Sequence, residues 1–191
     1  MLEYEKKVML TAEEYGSLLM SLCVGICPTI QTNYYFDTPD FAMNRKKITC
    51  RIRGKEGRFK ATIKDHRTGC AECSAETVIS DKKEYDPSVF YVLGLYCHGE
   101  LVTERRVFFK DNFCKAVIDR NTYLGCTDHE LEVEYTAGSE QKAQLLLDEV
   151  AYALMYVGTS SGIDAFYERI GSGKSKSERF FERKLHKEMS V

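Results

Sequence analysis

Charged residues recur at every second position in one stretch of this chain after another, and that recurrence limits its fold more than any other feature. In an extended backbone, successive side chains point to opposite faces. Glu130, Glu132 and Glu134 therefore stand on one side of a strand and Leu131, Val133 and Tyr135 on the other. Lys47, Thr49, Arg51 and Arg53 alternate in the same way with Ile48, Cys50 and Ile52, and Lys60, Thr62 and Lys64 with Phe59, Ala61 and Ile63. Glu3, Glu5 and Lys7 open the chain on one face; Glu72, Ser74 and Glu76 share another, as do Lys115, Val117 and Asp119. Counting Arg105, these faces hold as many bases as acids.

One such strand is explained by a solvated outer face. Six with the same asymmetry favour closure. The opposite faces are apolar and the helices carry apolar stripes, so helices placed outside turn every charged face inward. Eight strands closed into a barrel enclose a space about wide enough for side chains or one small ligand. Unpaired buried ions cost several kcal/mol each, so the interior is expected to be wet, internally paired and completed by something ionic. A flat sheet with one solvated face remains the alternative if the strands do not close.

The segments EYEKK, TNYYFDT, KKITCRIRG, GRFKATIK, AECSAETVI, TERRVFF, CKAVIDR and HELEVEY read as strands, mostly in hairpin succession. Thr11 to Glu14 fits a capping box for a helix reaching Leu22. Pro39 ends a strand in a turn or short helical segment, and Pro87 begins a helix whose buried face is Phe90 to Tyr96. Ser139 caps a long helix to about Tyr156, and a last helix covers Ser177 to Lys187. No linker divides the chain. One domain over residues 1–191 is expected, of class α+β: an eight-stranded antiparallel closed β-barrel with helices packed outside.

A net charge of -2 argues against a general nucleic-acid surface. No apolar run approaches the ~20 residues a membrane helix needs, and the acidic start is unlike a signal peptide. The chain is expected in the cytoplasm, without membrane or nucleic-acid partners, and its eight cysteines as reduced, small hydrophobes. Cys70 and Cys73 would point to opposite faces of a strand, a poor geometry for sharing an ion.

Lysines and arginines drawn from several strands can clamp phosphate oxygens, the arginines through two parallel donors. Clustered carboxylates suit a hard divalent cation. Together they describe a site for a polyphosphate complexed with magnesium or manganese.

The motifs Glu3-Tyr4-Glu5-Lys6-Lys7 (ExExK), NYYFDTPD, CRIR, ATIK, TERR, VIDRNTY and ELEVE occur in the order found in the CYTH, or triphosphate tunnel metalloenzyme, family, which the chain resembles from Glu3 to about Phe181. The resemblance implies a metal-dependent hydrolase of tripolyphosphate or a nucleoside triphosphate, using Mg2+ or Mn2+. By resemblance, Glu3, Glu5 and Glu132 hold the metal, and Asp119, Glu130 and Glu76 serve a second metal or position water. Lys7, Arg51, Arg53, Lys64, Arg105 and Lys176 grip phosphates, with Lys60 also facing in and Lys64 counted among the catalytic groups. Glu72 for Glu76, Arg106 for Arg105 and another C-terminal lysine for Lys176 remain open, as does a shift by two within Glu130, Glu132 and Glu134. Adenylyl cyclase, thiamine triphosphatase and a non-enzymatic polyphosphate-binding module are the alternatives.

Gly171 to Ser175 (GSGKS) imitates the end of a P-loop, but Glu168 stands where the motif needs its first glycine. It reads as a loop delivering Lys174 or Lys176 to the tunnel. His66, His98, His129 and His186 are scattered, and surface roles are expected of them.

Overall fold

The computed structural model describes residues 2–67, 73–158 and 162–189, with backbone alone for Leu2, Glu3 and Met189. Its strands are β1 (Leu2–Leu10), β2 (Thr29–Asp37), β3 (Ile48–Lys55), β4 (Arg58–Asp65), β5 (Cys73–Lys82), β6 (Tyr96–Lys110), β7 (Cys114–Tyr123) and β8 (Cys126–Tyr135). They close into a barrel in the order β1-β5-β4-β3-β2-β6-β7-β8, every pair antiparallel. Residues directly opposite across a strand pair share a face. Arg53 lies opposite both Asn33 and Lys60, Arg51 opposite Tyr35 and Thr62, and Lys64 opposite Thr49 and Glu76. Arg105 faces Asp119, Asp119 faces Glu130, and Lys7 faces Glu132. The charged faces thus form one continuous inner wall.

Apolar faces look outward and are covered. Helices α1 (Ala12–Ser21), α4 (Glu140–Val157) and α5 (Ile163–Glu168) bury Leu18, Leu147, Val150 and Phe166 against Val8, Ile118, Leu131 and Val133. Each such side chain contributes roughly 1.5–3 kcal/mol on burial. Across the barrel, Phe36, Cys50, Ile52 and Ala61 pack with Phe90 and Leu95. Among the described residues, seven cysteines carry free thiols. Burial pushes the Cys50 thiol up to about 12 and also raises Cys23 and Cys114, which suits inert packing groups. Cys70 lies outside the described residues. No helix among those residues is long and apolar enough to cross a membrane.

The capping box at Thr11 forms as the sequence predicts: Glu14 N–H donates to Thr11 Oγ1 at 3.1 Å and Thr11 N–H to Glu14 Oε2 at 2.8 Å. Glu14 is also buried against Arg169, whose Nη2 donates to Oε1 at 2.6 Å. Removing it strips a helix cap and leaves a half-buried guanidinium without its partner. Glu14→Ala should cost about 3 kcal/mol, near the range for breaking a buried ion pair. A urea midpoint equal to that of the parent would refute this.

Helix α6 (Lys176–Met189) behaves unlike the outer helices. Its Phe180 and Phe181 are fully buried against Tyr35, Leu101 and Tyr123, which project from inner faces, and against Phe41. The neighbouring contacts come from where β2, β4 and β7 end and β3, β6 and β8 begin, so α6 closes that end of the barrel. Gly99 permits the fit: its φ is 137°, and a Cβ there would stand 3.1 Å from Phe180 Cζ.

Three expectations are corrected. The apolar run after Pro87 gives only one helical turn, α3 (Ser88–Tyr91), because Gly94 takes a left-handed φ of 71° and returns the chain to β6. Val92 and Leu93 are exposed, while Leu95 reaches the core. Lys47 also has a positive φ, 59°, falls before β3, and pairs with Glu178 at the surface instead of facing inward. The unexpected α5 completes the outer layer; the short helix after Pro39 is α2 (Ala42–Arg45).

Candidate active site

The inner wall encloses a cavity of about 1010 Å³. Opposite α6 its mouth is open, edged by Lys55, Arg58, Lys115 and Thr136. Ten basic and six acidic residues line it, so a chain of net charge -2 carries an electropositive interior. Asp119, Glu130 and Glu76 stand within ion-pair reach of those bases.

At the closed end, β7 and β8 bring together the carboxylates of Asp119, Glu130 and Glu132, each offering an oxygen within 4.8 Å of the others. All three are buried. The first residue of α6 reaches into the middle of them. Lys176 Nζ is 2.9 Å from Asp119 Oδ2 and 2.8 Å from Glu132 Oε1, and it also pairs with Glu130 Oε1. Arg105 completes the cluster, donating through Nε to Asp119 Oδ1 at 2.9 Å and also binding Glu132. Burial alone would raise the carboxyls of Glu130 and Glu132. The Lys176 ammonium reverses that, holding Glu130 down at about 2, and with Arg105 and Lys7 it drives Glu132 well below the carboxylate range. Asn121 Nδ2 donates to Glu130 Oε1 at 3.1 Å, and Arg179 Nη1 lies 3.0 Å from its Oε2, an oxygen with no hydrogen bond among the described residues. Three ionised carboxylates gathered around a positive charge make a donor set that fits a hard divalent cation.

Glu5 is held apart from that set. Lys7 Nζ lies between the two, 3.4 Å from Glu5 Oε1 and 3.5 Å from Glu132 Oε1, and Lys64 Nζ is 3.9 Å from Glu5 Oε2. Burial opposes both charges, yet Glu5 is lowered by Lys7, and Lys7 is raised by Glu5, Glu130 and Glu132. On the other wall, Arg51 Nη2 donates to Glu76 Oε2 at 2.8 Å, and Lys60 stands 3.8 Å from Glu76 Oε1. Burial opposes the Glu76 charge too, but Arg51 and Arg53 keep its carboxyl low.

Arg53 differs from every other base in the tunnel. Its Nε donates to Asn33 Oδ1 at 2.9 Å, and it forms no ion pair with a carboxylate among the described residues. Burial and the like charges of Arg51 and Arg105 pull its guanidinium down to about 10. Beside it, the phenol of Tyr35 is buried with no hydrogen-bond partner among the described residues, and burial raises it despite Arg51, Lys176 and Arg53 nearby. A half-buried cation outside any ion pair among the described residues and a buried phenol donor face one space.

The structure also places several of the open positions. Arg105 faces inward, whereas Arg106 donates to Tyr15 Oη outside at 3.0 Å. Lys176 is buried in the cluster, while Lys174 pairs with Glu182 at the surface. Glu130 and Glu132 are deep; Glu134 binds Lys115 nearer the mouth, at 2.8 Å. Glu76 faces inward, and Glu72 and the side chain of Glu3 lie outside what is described. The glycines of residues 171–175 serve packing: Gly171 N–H donates to Lys7 O at 2.8 Å, and a Cβ on Gly173 would meet Met9 Cγ at 3.2 Å.

His66 is a correction. It lines the cavity, 3.3 Å from Thr49 Oγ1, which in turn lies 2.6 Å from Ser177 Oγ. Burial and Lys64 push its imidazole down to about 4, so it is neutral at pH 7. Asn33, Tyr35 and Asn121 were missed as well, although each lies at even spacing from an inward-facing residue. Arg179 and Ser177 carried no such signal, because they reach the site from a helix.

A sequence model of the CYTH domain matches residues 1–167. The chain is 27% identical, over 190 residues, to YjbK of Bacillus subtilis (strain 168), provisionally named a triphosphatase; the match takes in 87% of this chain and 95% of that protein. The solved structure of a provisionally named adenylate cyclase from Bacillus halodurans gives a TM-score of 0.65 at 23% identity, covering 94% of this chain and 97% of the other. A protein from Hippeastrum, described as revealing a dominant triphosphatase activity, gives 0.59 at 18% identity over 87% and 95% of the two chains. These two likenesses show a shared fold and nothing finer. With the domain match running through all eight strands that build the cavity, this chain belongs to the CYTH domain family.

Proposed function

We propose that this chain hydrolyses a triphosphate, either inorganic tripolyphosphate or a nucleoside triphosphate, with Mg2+ or Mn2+ as cofactor. The observation that carries the reading is Arg53, a guanidinium set beside the like charges of Arg51 and Arg105 and in no ion pair among the described residues. A bound polyanion would supply the counter-charge that no direct partner of Arg53 provides. Arg53, Arg51, Lys60 and Lys64 face the open length of the cavity, where a row of phosphates can lie against all four, and the Tyr35 phenol supplies one more donor.

A divalent cation held by Asp119, Glu130 and Glu132 would neutralise phosphate charge and polarise the bond to be broken. The remaining work belongs to the chain's own side chains. Phosphoryl transfer depends on position and charge more than on covalent help. A carboxylate as acidic as Glu130 is a weak base, so Glu130 orients water by accepting its hydrogen bonds instead of removing its proton beforehand, with Asp119 beside it as a second acceptor. Arg53 and Lys64 meet the negative charge on the transferring group, and Phe180 and Phe181 keep bulk water from the closed end.

A phosphate-release assay across tripolyphosphate, ATP and thiamine triphosphate, with Mg2+ and with Mn2+, tests the reading. Release from at least one substrate that stops in excess chelator is expected. No release from any of them, or cyclic nucleotide as the main product from ATP, would overturn it.

A further inference from the structure

The Lys176 ammonium lies among the three oxygens that a divalent cation would use. Two cations cannot share that space. Without a counter-charge, however, three carboxylates whose oxygens approach within 4.8 Å would repel one another and spread apart. We propose that Lys176 is an exchangeable internal counter-ion: it holds the Asp119–Glu130–Glu132 cluster in binding geometry, and an arriving divalent cation displaces it toward the phosphates. The inference rests on the proposed function only in taking this cluster as the cation site.

The route for the ammonium is short. The helix behind it is fixed by Phe180 and Phe181, both fully buried, and by Arg179 on Asp128 at 2.8 Å, so α6 need not undock. Only the flexible stem of Lys176 has to swing. On its far side stand Arg51, Arg53 and the unpartnered phenol of Tyr35, where a triphosphate would bring the negative charge that Lys176 loses on leaving the carboxylates. Each ligand therefore prepares the place of the other. The cation releases an ammonium for the phosphates, and the phosphates give that ammonium a reason to leave the cluster. Divalent cation and triphosphate should bind with positive coupling beyond their own chelation.

The size of the effect follows from occupancy. If Lys176 vacates the cluster about one-tenth of the time, the apparent affinity for the cation falls about tenfold. The test is titration of the full chain with Mn2+, free ion being followed by its paramagnetic resonance signal, with no phosphate present. Lys176→Met keeps most of the stem and removes the charge, so it should bind Mn2+ about tenfold or more tighter than the parent. Lys176→Arg keeps the charge and should remain near the parent. An affinity in Lys176→Met equal to or weaker than the parent's would overturn the exchange, since a simple phosphate clamp leaves cation binding untouched or needs it intact. A second measurement requires no variant. The side-chain ammonium resonance of Lys176, protected while it bridges the carboxylates, should lose that protection on saturation with diamagnetic Mg2+. Persistence of the protected signal in Mg2+-bound protein would also overturn the proposal. If the parent releases phosphate with Mn2+ while Lys176→Met shows no gain, the exchange is wrong and the hydrolase reading stands. If neither protein binds Mn2+ or releases phosphate, both fall.

Discussion

Replacing Arg53 with alanine should lower the rate of triphosphate hydrolysis about a hundredfold, the scale of losing one preorganised donor, and extra divalent cation should restore none of it. Its Nε is taken by Asn33 at 2.9 Å, which leaves the outer nitrogens of the guanidinium for two phosphate oxygens. A loss confined to kcat would mean that the contact strengthens as charge develops on the transferring group; a rise in KM alone would mean equal grip before and during reaction. The first is expected. Stability should move the other way. Arg53 is desolvated among Arg51 and Arg105, so its removal relieves repulsion, and the melting temperature should hold or rise. An Arg53→Ala protein with parental rates would reduce the residue to a structural one.

Glu132→Gln should have an effect at least as large. Glu132 is where Lys7, Arg105 and Lys176 meet, the first at 3.5 Å and the last at 2.8 Å. The amide keeps the shape and removes the charge, so cation affinity should fall by more than about a hundredfold, beyond the cost of losing an outer partner of a ligand. Three bases then share fewer acids, and the metal-free protein should also melt lower. Raising the cation concentration separates the two consequences. It should recover part of the rate, which a folding defect alone would not allow. Parental cation dependence in Glu132→Gln would remove this cluster from the reaction.

Much of this geometry was legible because a closed barrel turns the alternation of each strand in one common direction. Once Glu130, Glu132 and Arg105 face inward, their cross-strand partners must too, and eight local patterns become one wall. What escaped were features with no period of two. Phe90 to Tyr96 is an apolar run that helix and strand can both claim, and Gly94 decides between them through its φ of 71°. His66 stands one residue past the end of β4, where alternation stops informing, so its cavity position depended on how α6 docks. Lys176 was expected in the tunnel, but from a loop and against phosphates. Nothing in the sequence signals that it enters as the first residue of an amphipathic helix and is met by acids more than forty residues away.

Because α6 stops one end of the barrel, the tunnel works as a cul-de-sac with one doorway for arrivals and departures. A long polyphosphate cannot be threaded through; it can only be inserted tip first, so under the proposed function trimming from its ends is the mode open to this chain. The fragment that forms nearest Phe180 and Phe181 is also blocked in by whatever lies between it and the mouth. Its exit waits for the outer fragment to leave, and accumulated outer product should hold the inner one in place, slowing the next turnover without touching the chemistry.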